Sequence, residues 1–401
     1  MDCLTASGRV PRLKLMVMVL GVLLFLLSAC AADGGILGSG TWQASGLQGQ
    51  TIRTLTVDPN NENTIYAGSS TGSVFVSTDA AAHWSTRNTG LPAQNSISAL
   101  SFDVSGKILY AATAKGLFHS TDGGEQWNSV SASLPADAYT ALAFGDAHAP
   151  LIFVATAHHG VYSSSNNGAS WQPTSKKAWP QNIAVNGLSY DPTHQQLWAA
   201  TSAGVYRSND EGRSWSAYNT GLPADDNVHV VAPAYVSGGD PDLVYVATQK
   251  GFFISKDNGA HWSVGQDSIK NIDVYTLLVD FRSPDAATVY IGTKFGALRS
   301  DDKGQTWQEV GTGMPKNATV TALTIGANQN TRLFGAADQI YFYPGTTGSS
   351  GSNAHIFTIV GVVIFFLVLY YVATSGRRRS IKALRAQQRP ANSERQIPPD
   401  K

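Results

Sequence analysis

Ser120-Thr121-Asp122-Gly123-Gly124-Glu125-Gln126-Trp127 decides the fold, because it is one of six versions of a single octapeptide. The others run Ser77 to Trp84, Ser164 to Trp171, Ser208 to Trp215, Ser255 to Trp262 and Ser300 to Trp307. The third position holds Asp79, Asp122, Asn166, Asp210, Asp257 and Asp302, at intervals of 43, 44, 44, 47 and 45 residues. The last position is always Trp: Trp84, Trp127, Trp171, Trp215, Trp262 and Trp307. A fixed period of this size is the signature of a propeller or a solenoid.

The motif reads as a turn between strands. Each copy ends a run of apolar alternation such as Gly204-Val205-Tyr206-Arg207-Ser208 and opens another strand at the Trp. That is a hairpin signal. The Asp can accept hydrogen bonds from backbone N–H groups two or three residues on. The Gly supplies a positive φ. The Trp has a large apolar face to bury between neighbouring sheets. Before each motif lies a strand like Tyr110 to Gly116, and before that one like Ile52 to Pro59. Turns such as Thr89-Gly90-Leu91-Pro92 and Thr220-Gly221-Leu222-Pro223 follow several of the Trp residues. Each repeat thus supplies four short strands, which is one propeller blade.

The ends complete the count. Val320 to Tyr343 gives three strands of a further blade with no motif after them, and Gly40-Thr41-Trp42 puts a Trp 42 residues before Trp84. The chain is therefore expected to be all-β, a seven-bladed β-propeller of four-stranded blades over residues 40–344. Its N-terminal strand would complete the last blade and hide the sheet edges. Six and eight blades are the alternatives.

The motif resembles the Asp-box, or BNR repeat, of a propeller superfamily. That superfamily includes sialidases, sortilin-type receptor ectodomains, xyloglucan-cleaving glycosidases and photosystem II assembly propellers. The resemblance covers residues 40–344. It implies a fold and leaves the activity open, because unrelated functions share it.

Two apolar segments flank the propeller. Leu15 to Leu27, preceded by Arg9, Arg12 and Lys14, has the layout of a secretory signal and is short for a span. Residues 1–29 are expected to be a signal peptide and 30–39 a linker. Leu27-Ser28-Ala29-Cys30 resembles the bacterial lipoprotein box, which implies lipidation of Cys30. Ordinary cleavage after Ala31 and an uncleaved anchor are the alternatives. Residues 345–355 read as a Gly/Ser-rich linker, and 356–374 as a transmembrane helix of 19 uncharged residues. Arg377, Arg378, Arg379, Lys382 and Arg385 begin a basic tail over 375–401, which the positive-inside rule keeps in the cytoplasm. The expected location is the cell membrane, with the propeller outside.

A net charge of zero hides an asymmetry. The tail from Arg377 carries +6 and residues 1–29 carry +2, leaving −8 for the rest. An acidic ectodomain speaks against nucleic acid as a partner. Cys3 and Cys30 are the two cysteines, and neither lies in the propeller. Its stability must come from its core, which a chain of this length can build.

A sialidase needs an arginine cluster, a Tyr–Glu nucleophilic pair and an acid. The chain has five Glu: Glu62, Glu125, Glu211, Glu309 and Glu394, in turns, an outer strand and the tail. The sialidase Phe-Arg-Ile-Pro signature is missing, and Phe281-Arg282-Ser283-Pro284 is the nearest string. A two-carboxylate glycosidase could use Asp103, Asp191 or Asp280. Each follows the first strand of a blade, where a turn residue belongs. His158-His159 occupies the loop before Gly160 and suggests no metal site, since adjacent side chains do not converge in a strand and no third ligand is at hand; a solvated loop is expected. No catalytic residue, metal or cofactor is assigned.

The inner strands offer a ligand site. Aligned on Leu55, Leu100, Leu142, Leu188, Val231, Leu277 and Leu323, the position two before is Arg53, Ser98, Thr140, Asn186, His229, Tyr275 and Thr321. All seven are polar and are expected to ring one mouth of the central channel. Trp179, the one Trp the repeat does not explain, is a second candidate contact in a loop, with packing against its own blade as the alternative. The reading that follows is a membrane-anchored extracytoplasmic scaffold that binds an envelope protein or a glycan. A glycoside hydrolase with Asp carboxylates at the channel mouth is the alternative. Sensing through a cytoplasmic partner is a third.

Overall fold

A computed structural model describes residues 40–145, 151–175, 183–234, 242–283, 287–326 and 332–344. The expected signal segment, Cys30, Trp179, the linkers, the expected span and the basic tail lie outside the described residues. The chain divides into units 1–346 and 347–401, and the described residues belong to the first. Among them, no helix is long and apolar enough to cross a membrane.

Seven antiparallel sheets of four strands each make the propeller. Six sheets are consecutive in sequence. The seventh joins three C-terminal strands to Gln43–Ala44, with Gln43 paired to Phe342 and Ala44 to Tyr341. The inner strands are Ile52–Asp58, Ile97–Phe102, Tyr139–Phe144, Val185–Asp191, Val228–Pro233, Val274–Val279 and Ala322–Ile325. Each packs on the next, and the last packs on the first, so the ring is closed.

Side-chain size explains how the blades fit. The second strands, such as Leu109–Thr113 and Val244–Thr248, are buried along their whole length. They read as continuous apolar runs because both faces meet neighbouring blades. Small residues sit where the wedges narrow. A β-carbon on Gly292 would lie 2.5 Å from the carbonyl oxygen of Val320 in the next blade. The core is a set of layers between blades. Tyr245, Phe252 and Ile254 of blade 5 pack against Val274, Leu277 and Ile291 of blade 6, for example.

Four of the six motif Trp residues bolt adjacent blades together through the indole N–H. Trp84 Nε1 donates to Ser45 O at 2.6 Å, Trp127 to Arg87 O at 2.9 Å, Trp171 to Val130 O at 2.7 Å and Trp262 to Tyr218 O at 2.8 Å. Each acceptor lies three residues beyond the previous blade's Trp. Trp42 donates to Val310 O, three residues beyond Trp307, so it is the equivalent Trp of the seventh blade. Trp307 departs from the pattern. Its Nε1 donates to Gly304 O within its own turn, and its ring meets Phe252 edge-on at 4.9 Å.

The turn itself is organised by Ser, a residue to which sequence reasoning gave no role. Ser120 Oγ donates to Asp122 Oδ1 and accepts from Gly124 N–H, both at 2.7 Å. The same pair of bonds recurs in the other five copies, with Ala81 in place of Gly in the first. The Asp accepts from the N–H four residues on, as from Gln126 at 3.0 Å, rather than two or three. Only the last copy also uses the third, Gln305, at 3.0 Å. Asn166 serves equally, because the acceptor is one oxygen and its Nδ2 donates to Ser170 Oγ at 2.9 Å. The Gly takes φ near +83°, as at Gly168 and Gly304, where a side chain is disfavoured.

Candidate functional site at the channel mouth

Six of the seven ring positions are β-bulges. Ile97 pairs with Thr113 and Ala99 with Ala112, which leaves Ser98 unpaired between them. The same skip occurs at Arg53, Thr140, Asn186, His229 and Tyr275. Thr321 stands just before its strand, and its N–H donates to Ala336 O at 2.9 Å. A bulged residue escapes the alternation of the strand and its side chain is re-aimed. Here all seven side chains line one cavity of about 410 Å³, together with Thr51 and Ile52.

One wall of this cavity is tied from blade to blade. Asn186 Nδ2 donates to Asn227 Oδ1 and to Val228 O, both at 2.8 Å. His229 Nε2 lies 2.9 Å from Asp273 Oδ1. Donation of Nε2–H to that carboxylate leaves Nδ1 as an acceptor. The rings of His229 and Tyr275 are 6.1 Å apart and tilted by 34°. Burial, and then the charge of Asp273, push the Tyr275 hydroxyl up from its ordinary pKa. Thr321 Oγ1 donates to Ile52 O at 3.0 Å and closes the circuit at the first blade. Arg53 is exposed and carries the fixed positive charge of the lining. The buried hydroxyl of Thr140 has no partner. The cavity therefore presents hydroxyl, amide-oxygen, imidazole and guanidinium groups, suited to a ligand that both donates and accepts hydrogen bonds.

The carboxylates considered for catalysis lie at the other end of the inner strands. Asp103 accepts from the N–H groups of Lys107 and Ile108, each at 2.9 Å. Asp191 accepts from Thr193 N–H at 2.8 Å and meets His194 Nδ1 at 2.7 Å. Asp280 accepts from Arg282 N at 3.0 Å and Nε at 2.8 Å. All three shape turns, and Arg282 of the sialidase-like string is engaged there.

Two residues near the mouth carry chemistry that the sequence did not reveal. Asp226 is 1% exposed, and neither carboxyl oxygen has a hydrogen-bond partner at normal distance. Burial raises its pKa, while Thr248, Lys250 and His229 pull less strongly the other way. In blade 2 the equivalent place is held by Asn95, whose Nδ2 donates to Thr113 Oγ1 at 2.8 Å. The expectation that His158 and His159 diverge is corrected. They sit in the expected loop before Gly160, where strand alternation does not apply, and both Nδ1 atoms reach Asp137, at 3.0 and 2.9 Å. The Asp137 carboxyl, buried yet bonded by these histidines and by backbone N–H groups, is held at about 2. Among the described residues, no three His, Cys, Asp or Glu side chains form a group able to hold a metal.

The turn geometry, the seven blades and the strand exchange agree with one superfamily. The chain matches the Asp-box (BNR repeat) β-propeller superfamily in its repeat and its fold. Residues 37–183 match the family model of the photosynthesis system II assembly factor YCF48. A xyloglucanase of Hypocrea jecorina (strain QM6a) is 26% identical over 205 residues, 48% of this chain and 22% of that protein. The chain thus spans about a fifth of the length of that relative. A structure of YCF48 bound to D1 peptide superposes with a TM-score of 0.59 at 15% identity, covering 77% of this chain and 98% of that one. A GH74 xyloglucanase from Xanthomonas campestris gives 0.59 at 16% identity, covering 77% and 54%. At these identities the superpositions establish the fold of the Asp-box propeller and no activity.

Proposed function

We propose that this propeller is a binding scaffold that holds a polypeptide segment of a partner protein at the mouth of its central channel. The observation that carries the reading is the set of seven polar side chains turned into one cavity, six of them by a bulge. The likeness to a propeller bound to a peptide supports it. The charge pattern of the ends supports a disc held outside a membrane, through residues 356–374 and a lipid on Cys30. The test is capture of partners by the wild-type chain and by the Arg53→Ala, His229→Ala double variant. A protein enriched by the first and lost from the second supports the reading. Equal enrichment by both would overturn it.

A second reading, glycoside hydrolysis, is favoured by the xyloglucanase match. Retaining and inverting chemistry both need two carboxyl groups across one bond. The use of Asp103, Asp191 and Asp280 in turns weighs against it. Release of reducing sugar from xyloglucan, abolished by an Asp→Asn change, would restore that reading.

A further inference from the structure

Three cavities open at the same end of the disc. The ring cavity is one. The second, about 480 Å³, is bounded by Ala114-Lys115 at a hairpin tip of blade 2 and by Leu134 to Tyr139, the loop entering blade 3. The third, about 600 Å³, is bounded by the matching tip of blade 6, Phe295 to Ala297, and by the loop entering blade 7. Hairpin tips and entry loops share the ring's end of each blade, since the start of the inner strand pairs with the end of the second strand, as Ile97 with Thr113. The two outer cavities are four blades apart one way and three the other. They face each other across the channel mouth.

Their charge and polarity name the occupant. Lys115, Arg53 and Lys316 line the three cavities in turn, and none is in an ion pair among the described residues, while the carboxylate of Glu309 also lines the third. Asp137 lines the second cavity, but its side chain is 6% exposed and engaged by His158 and His159. In the third, Phe295 is 52% exposed beside Met314 and the edge of Trp42. Separate small cavities in a row suit an extended backbone, whose side chains point alternately to and from the surface.

We propose that an extended acidic segment of the partner lies across this end, from the Lys115 cavity over the ring to the Phe295 cavity, where a bulky apolar side chain seats. This rests on the ring being the binding site. The test places a benzophenone amino acid at Lys115, Ser98, Phe295 or, at the opposite end, Lys107, in the full-length chain in cells that make it. Adducts are mapped by mass spectrometry. The expected result is that the first three positions tag one contiguous acidic stretch of one protein, in that order, and Lys107 does not. The Lys115→Glu, Lys316→Glu variant should lower the Ser98 adduct roughly tenfold, because like charges now face each other. Adducts from Ser98 with none from Lys115 and Phe295, or adducts in unconnected stretches, overturn the track and leave the ring site standing. Adducts from the outer positions alone, or from none of the three, overturn both. An unchanged Ser98 adduct in the charge-reversed variant excludes an acidic segment.

Discussion

His229 Nε2 and Asp273 Oδ1 stand 2.9 Å apart across the boundary between blades 5 and 6. The pair fixes an imidazole on the cavity wall from behind, as Asn227 fixes Asn186 one blade earlier. Neither Asp273 nor Asn227 lines the cavity. Arg53 on the far wall needs no such support to keep its charge. Arg53→Ala and His229→Ala are each expected to weaken partner binding about 10- to 100-fold, the loss of a hydrogen bond to a charged or fixed group. Thermal unfolding should barely move for Arg53→Ala, where the side chain is exposed, and fall modestly for His229→Ala, which loses the bond to Asp273 across the blade boundary. Titration of the captured partner and calorimetry of each variant check both halves.

Asp226 makes stability depend on pH. Its carboxyl is raised by burial above the ordinary Asp value. The folded state therefore keeps a proton that the unfolded chain has lost, so stability falls as pH rises from the ordinary carboxylate range through the raised value. Asp226→Asn supplies the amide that Asn95 uses in blade 2. We expect it to stabilise the propeller by about 1–3 kcal/mol at neutral pH and to flatten this part of the pH profile. Equal profiles for variant and wild type would contradict the assignment.

The two anchors of the repeated turn are unequal. Ser120→Ala removes the acceptor of the buried Gly124 N–H, which should cost about 1–3 kcal/mol. Asp122→Asn keeps the accepting oxygen, as Asn166 does in blade 3. It should cost less than about 0.5 kcal/mol. Denaturant unfolding of the two variants decides the order.

Closure rests on a two-residue strand and one indole. Trp42 is 4% exposed, packs on Tyr343 at 5.3 Å and donates to Val310 O. Trp42→Ala should cost about 3–5 kcal/mol. It should also expose Ile340–Tyr343 as a free edge, which limited proteolysis would detect as early cleavage near residue 340.

Period and polarity carried most of this account, and geometry carried the rest. The repeat spacing and the phase of Trp42 were enough to place the strand exchange, because an interlocking Trp must recur once per blade. The polar residue two before each inner Leu or Val was visible as a column. The bulge that turns it into the channel was not, since spacing does not say which residue leaves the ladder. The motif Ser was overlooked because a buried hydroxyl and an exposed one look alike in a sequence. His158 and His159 were misjudged because a strand rule was applied to a loop. Asp226 resembles any turn Asp until its burial is known.

The ring as binding site is tested most directly by thiol protection. The propeller has no cysteine of its own, so Ser98→Cys at the ring and Lys107→Cys at the opposite end can be introduced singly. Maleimide labelling is then followed with and without the partner captured by the wild-type chain. The account predicts that the partner shields the Ser98→Cys thiol and leaves the Lys107→Cys thiol reactive. Shielding of the latter alone would place the partner on the Asp-box end and contradict the account.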